Sequence, residues 1–117
     1  MKAGKVWGET ESLLVTPLVE VHHIKVNQGG ICSTHLHRFK WNMFYVISGH
    51  LDIEVRKSDY DLEDVTELKA GEWTTVPPGE FHRFRALEDT EALEIYYLEP
   101  ISKDIVRENV GGLVDSG

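Results

Sequence analysis

The chain has one cysteine, Cys32, so no disulfide can form within it, and its stability must come from packing and hydrogen bonding. Such a composition suits a reducing cytoplasm, the expected location. Long apolar runs are also missing: the stretch Met43 to Ile47 is among the longest, against the roughly 20 apolar residues that a membrane-crossing helix needs. The amino terminus carries Lys2 and Lys5 but passes to Trp7, Gly8, Glu9 and Thr10 without the apolar stretch of a secretory leader. Basic residues are scarce, with 12 Lys and Arg against 20 Asp and Glu, a formal charge of −8. This excess of negative charge repels a phosphodiester backbone and an anionic bilayer, so neither nucleic acid nor a membrane is an expected partner.

What is present reads as β-structure. Leu13 to Val15, Val19 to Val26, Met43 to Ser48, Leu51 to Val55, Trp73 to Val76, Phe81 to Phe84 and Ala92 to Leu98 are β-branched, aromatic or alternating. Between them lie turn formers such as Asn27-Gln28-Gly29-Gly30, Ser48-Gly49-His50 and Pro77-Pro78-Gly79, spaced for antiparallel hairpins. Leu51, Ile53 and Val55 alternate with Asp52, Glu54 and Arg56, the pattern of a strand with one buried face. Lys57 to Leu68, rich in Asp and Glu, is expected to be a solvated loop. Ile101 to Asn109, with Ser102 as a cap, predicts a short carboxyl-terminal helix. The 117 residues show no linker or repeat and predict one all-β domain, with an arm at 1–10 and a loose tail at 111–117.

In His35-Leu36-His37 two imidazoles stand two residues apart, so on an extended strand they leave the same face and can converge on one ion. The surrounding frame runs Gly29, five residues, His35, one residue, His37, four residues, Asn42, six residues, Gly49. A second frame runs Gly71, five residues, Pro77, one residue, Gly79, two residues, His82. These frames, at 29–49 and 71–86, closely resemble the two motifs of the cupin superfamily. The resemblance implies a double-stranded β-helix, or jelly-roll barrel, and a divalent metal ion (Zn, Mn, Fe or Ni) held by His35, His37 and His82. At the position where that family usually supplies a glutamate ligand stands Asn42, which offers a neutral amide oxygen. A site of three neutral imidazoles keeps the full charge of the ion and favours an anionic ligand.

Strand parity predicts that Phe44 and Val46 share the face of Asn42, and Phe84 that of His82, giving the polar centre an apolar wall. Met43, Tyr45 and Ile47 then point outward, toward a second sheet face or a homodimer partner. The same parity turns Cys32 away from His35 and His37, as a buried thiol rather than a ligand.

Within the cupins the chain is similar to small relatives of type II phosphomannose isomerase. The similarity rests on Lys5-Val6-Trp7-Gly8, on Ser33-Thr34-His35-Leu36-His37 and on Lys103-Asp104-Ile105-Val106-Arg107. It departs where that family has Gln and Glu, here His35 and Asn42, and where the closing Tyr-Gly-Arg is replaced by Val110-Gly111-Gly112. Lys40 sits where the family tends to carry an arginine and is the expected phosphate contact. The resemblance implies a metal-dependent protein that acts on, or binds, a sugar or sugar phosphate as a mannose-6-phosphate isomerase does. Two other functions fit the same residues: a non-haem iron dioxygenase with three histidines, and a non-catalytic carbohydrate-binding or sensor cupin. Isomerisation also needs a base. His22, His23 and His50 are candidates by chemistry, and the sequence points none of them inward.

Overall fold

The structure is a computed structural model that describes residues 1–57, 63–98 and 104–114. Its strands are β1 (Lys2–Lys5), β2 (Gly8–Val15), β3 (Val19–Val26), β4 (Trp41–Ser48), β5 (His50–Arg56), β6 (Glu63–Lys69), β7 (Trp73–Val76), β8 (Phe81–Ala86) and β9 (Thr90–Tyr97). They form one sheet in the order β1-β2-β3-β9-β4-β7 and a smaller one in the order β6-β5-β8, with every pair antiparallel. The two sheets share one core. Ile24, Val26, Phe44, Val46, Val76 and Ala92 of the large sheet meet Leu51, Ile53, Leu68, Phe84 and Ala86 of the small one, all nearly inaccessible to solvent. The alternation of Leu51 and Ile53 with polar neighbours is what turns β5 into a half-buried strand.

The β4–β5 hairpin shows why a glycine is required between them. Gly49 has φ of 98°, and a Cβ there would lie 2.4 Å from the carbonyl oxygen of Asp89, so both the backbone angle and the space exclude a side chain.

Two expectations need correction. No helix forms over 104–109: those residues are exposed and irregular, while 101–103 lie outside the described residues. Ile105 and Val106, the apolar residues of that segment, are 58% and 99% exposed, so a helix there has no buried face to hold it. The acidic stretch at 57–68 is not wholly a loop either, because 63–68 belong to β6. That strand buries only Leu68, and a single inward residue leaves almost no hydrophobic alternation to read.

Ile53 is fully buried, so Ile53→Ala is expected to lower stability by about 2–5 kcal/mol in urea unfolding. Val65→Ala, on the exposed β6, should change it by about 0.5 kcal/mol or less.

Candidate functional site

The segment that follows β3 contains no strand, yet two isolated bridges tie it to β8: Ile31 opposite Arg85, and His35 opposite His82. Cys32 N–H donates to the carbonyl of Phe84 at 3.3 Å, while His35 and His82 exchange both backbone bonds, at 3.1 and 2.9 Å. Ser33 and Thr34 therefore stand opposite Arg83 alone, which makes a β-bulge. The extra residue reverses the parity between Cys32 and His35. Contrary to expectation, Cys32 turns to the same interior as His35 and lines one cavity with it.

The structure brings His35, His37 and His82 together, with one ring nitrogen of each lying within 4.8 Å of the others. An ion about 2.0–2.1 Å from each imidazole nitrogen sets those atoms roughly 3.0–4.2 Å apart, so a small inward shift of the rings is enough to grip it. The tautomers suit this role. His35 Nδ1 lies 2.8 Å from the Ser33 carbonyl and His82 Nδ1 lies 3.0 Å from the Glu80 carbonyl. A carbonyl only accepts, so each Nδ1 carries the proton and each Nε2 keeps a lone pair. His37 Nε2 is buried without a partner. Burial, followed by the charge of Lys40 and the neighbouring His35 and His82, holds His37 down to about 4, and burial lowers His82 as well. Both rings are thus neutral donors near pH 7.

Asn42, fully buried, places Oδ1 3.1 Å from His82 Nε2, while its Nδ2 has no partner. Two acceptors face each other. Either the amide turns so that Nδ2 donates to Nε2, or a cation is shared by Nε2 and Oδ1. The unpartnered His37 Nε2, the His82 Nε2 lone pair and the neutral Asn42 amide make a donor set that fits a divalent metal ion. Phe44 and Phe84 back it as expected: both are buried, and the Phe44 ring lies 6.4 Å from that of His82. Val46 is an ordinary core residue. Lys40 Nζ rests 3.8 Å above the Tyr96 ring, and Tyr96 in turn lies 5.1 Å from His37.

The cavity beside the trio has a volume of about 600 Å³ and is lined by His22, Cys32, His35, Phe84, Glu94 and Tyr96, with Lys5 and Trp7 among the residues at its amino-terminal wall. Of the three histidines considered as bases, only His22 faces this space. It lies opposite Glu94 in the β3–β9 ladder and contacts Ser12 and Glu20, each at 3.3 Å. His23 faces outward, 3.8 Å from Glu91, and His50 pairs with Asp52 at 3.1 Å on the outer side of the small sheet. Glu94 and Tyr96 were not singled out from the sequence. Burial raises Glu94 above the ordinary carboxylate range, against the lowering effect of Tyr96, His22, His35 and Asn42, and burial with the Glu94 charge raises Tyr96 too. Their only signal in the sequence is parity with Ala92 on one strand, and that signal appears once Ala92 is known to be core.

Residues 22–98, most of the chain, match the family described as Cupin domain. The chain belongs to the cupin family. No curated protein sequence matches it. Among solved structures, this cupin is similar to KdgF from Halomonas sp., at 18% identity and a TM-score of 0.70, covering 83% of this chain and 84% of that one. It is also similar to CapF, a capsular polysaccharide assembling protein from Staphylococcus aureus, at 22% identity and a TM-score of 0.73, over 89% of this chain and 30% of that one. Oxalate decarboxylase from Bacillus subtilis, which has Mn(II) centres, matches at 17% identity and a TM-score of 0.74, over 90% of this chain and 29% of its own. At these identities the likeness is one of fold.

Burial pushes the Cys32 thiol up to about 11, and Phe84 N–H donates to Sγ at 3.1 Å. Cys32 is therefore a poor nucleophile despite facing the cavity. Iodoacetamide at pH 8 is expected to leave it largely unmodified in the folded protein, with alkylation read by mass spectrometry rising only as the pH approaches 11.

Proposed function

We propose that this cupin holds one divalent metal ion through His35, His37 and His82, with Asn42 beside them, and acts on or binds a sugar or sugar phosphate in the adjoining cavity. The observation that carries the reading is the convergence of three imidazole nitrogens, with the carbonyl partners of His35 and His82 favouring tautomers that turn Nε2 lone pairs inward, next to a cavity lined by His22, Glu94 and Tyr96. When bound, the ion supplies Lewis-acid polarisation of a ligand oxygen.

The cavity lining supports a hydroxyl-rich ligand. Glu94 and His22 offer acceptors, Tyr96 a phenolic hydroxyl, and Trp7 and Phe84 apolar faces against which a sugar ring packs. Lys5 lines the same space, so a phosphate or carboxylate on the ligand has one cationic partner there, whereas Lys40 lies behind Tyr96 in a neighbouring hollow. For an isomerase like that of mannose 6-phosphate, the chain must also move a proton between adjacent carbons. Glu94 is the acid–base group we assign: its carboxylate takes the proton from the carbon next to the carbonyl and returns it to the neighbour. Tyr96, hydrogen-bonded to its carboxylate, orients it. The relation to CapF, a capsular polysaccharide assembling protein, and to an enzyme with Mn(II) centres supports the ligand class and the metal respectively.

Elemental analysis should find about one ion per chain in the wild type and in Cys32→Ala, and at least roughly tenfold weaker retention in His37→Ala. Equal metal in all three proteins would refute the assignment. With hexose and pentose phosphates, metal-loaded protein is expected to interconvert aldose and ketose. Glu94→Gln should then lower kcat by roughly 10²–10⁴-fold at unchanged metal content. A flat panel with ligand still bound would leave a binding role, and oxygen uptake would point instead to oxygenase chemistry.

A further inference from the structure

The outer face of the small sheet holds a second group of ligating side chains. Successive residues of β5 alternate between faces, so His50 and Asp52 leave the outer side together while Leu51 and Ile53 enter the core. In the β5–β6 ladder Glu67 stands directly opposite Asp52. His50, Asp52 and Glu67 each bring one ligand atom within 4.8 Å of the other two, and His50 Nε2 lies 3.1 Å from Asp52 Oδ1. This group is separate from the histidine trio: His82 pairs with Val55, which is three residues beyond Asp52 and on the opposite face of β5.

Two carboxylates that face each other across a ladder repel, and little offsets it here. Asp52 is only 9% exposed, its one side-chain hydrogen-bond partner among the described residues is His50, and its Oδ2 has none. A single imidazole balances at most one carboxylate, and two stand here. Arg85 stands opposite Asp52 and Lys69 opposite His50, yet neither forms an ion pair among the described residues, and Arg83 on the same face is taken by Glu54. A nearly buried carboxylate with a free oxygen, beside a second carboxylate and an imidazole, is the arrangement that a dipositive ion satisfies.

We propose that His50, Asp52 and Glu67 form a second divalent-cation site, for zinc or a similar transition ion, that ties β5 to β6. One imidazole nitrogen and two carboxylate oxygens suit such ions, and the two negative charges match the charge of the ion. Ligand atoms about 3.0–3.6 Å apart surround an ion roughly 2.0–2.2 Å from each. The 3.1 Å pair already meets that spacing, and Glu67, which is exposed, closes on it by side-chain rotation. The role of the ion is structural. β6 buries only Leu68, and the ion turns the repulsion between Asp52 and Glu67 into a cross-strand link. With three ligands and one side open to water the ion exchanges, so desalted protein keeps only the ion of the histidine trio.

Equilibrium dialysis of the full chain against about 100 µM zinc chloride, with bound metal counted by elemental analysis, tests this. The wild type should bind about two ions per chain, and Glu67→Ala and His50→Ala each one fewer. Glu63→Ala, which removes another exposed carboxylate of β6, should match the wild type. So should His23→Ala, which removes the outward histidine beside Glu91. Zinc should raise the Tm of His37→Ala by roughly 5 °C, and this shift should vanish in His37→Ala/Glu67→Ala. The outcome is independent of the histidine trio: if that trio binds nothing, the wild type and His37→Ala each bind one ion and Glu67→Ala binds none. A zinc count in folded Glu67→Ala or His50→Ala equal to that of the wild type overturns the proposal. Loss of an ion in His23→Ala overturns it too, because the extra ion then sits at that other pair. The wild-type and Glu67→Ala counts give the answer even if His37→Ala does not fold, since Glu67 is exposed and its loss leaves the core intact.

Discussion

The pair of backbone hydrogen bonds exchanged by His35 and His82 is the constraint on which the site depends. The segment after β3 has no strand of its own, so its place against β8 is fixed by this pair together with the Ile31–Arg85 bridge and the bond from Gly79 N–H to the His37 carbonyl. With those bonds in place, His35 sits beside His82, and His37, two residues on, points the same way. The rings come within 4.9 Å for His35 and His37, 4.7 Å for His35 and His82 and 5.4 Å for His37 and His82. Each of the two ring protons that can be placed is held by a carbonyl from the histidine's own segment, Ser33 for His35 and Glu80 for His82. Side-chain direction and tautomer are thus set by the same short stretches of backbone.

The interior is divided along the strands. At one end Ile24 of β3 and Ala92 of β9 join a dry core; at the other, the same two strands present His22, Glu94 and Tyr96 to an open cavity. Burying carboxylates and imidazoles is costly unless they find partners, and here they largely partner one another. Packing stability and chemical capacity therefore occupy adjacent rungs of a single sheet, and the dry end anchors the wet one.

Much of this was legible in the sequence because local rules were sufficient. Leu51 and Ile53 alternate, Gly49 permits a hairpin, and the two histidine frames, through their resemblance to the cupin motifs, single out the three histidines that the fold brings together. Phe44 and Phe84 followed from parity. What failed needed information that no local window holds. The bulge at Ser33 and Thr34 is defined only against Arg83, and it reversed the orientation expected for Cys32. The strand at Glu63–Lys69 buries one residue, so it resembled a loop. The fragment at 104–109 resembled a helix but has no surface to bury against. Glu94 and Tyr96 were hidden by their neighbours: Leu93 and Ile95 are the more hydrophobic side chains, and hydrophobicity alone assigns them to the interior, whereas they face out.

The strand β6 lies at the rim of the small sheet, and no strand among the described residues pairs with its outer edge. Glu63, Asp64, Glu67 and Lys69 crowd that rim, and Val65 is its sole outward aliphatic residue. An open β-edge recruits any extended chain that matches it, and a dense row of like charges is among the few means by which a short strand resists such recruitment. Glu63, Asp64 and Glu67 put three carboxylates along this edge, the kind of charge that disfavours such recruitment. Neutralising the rim, by acid or by substitution, would expose a template for cross-β growth.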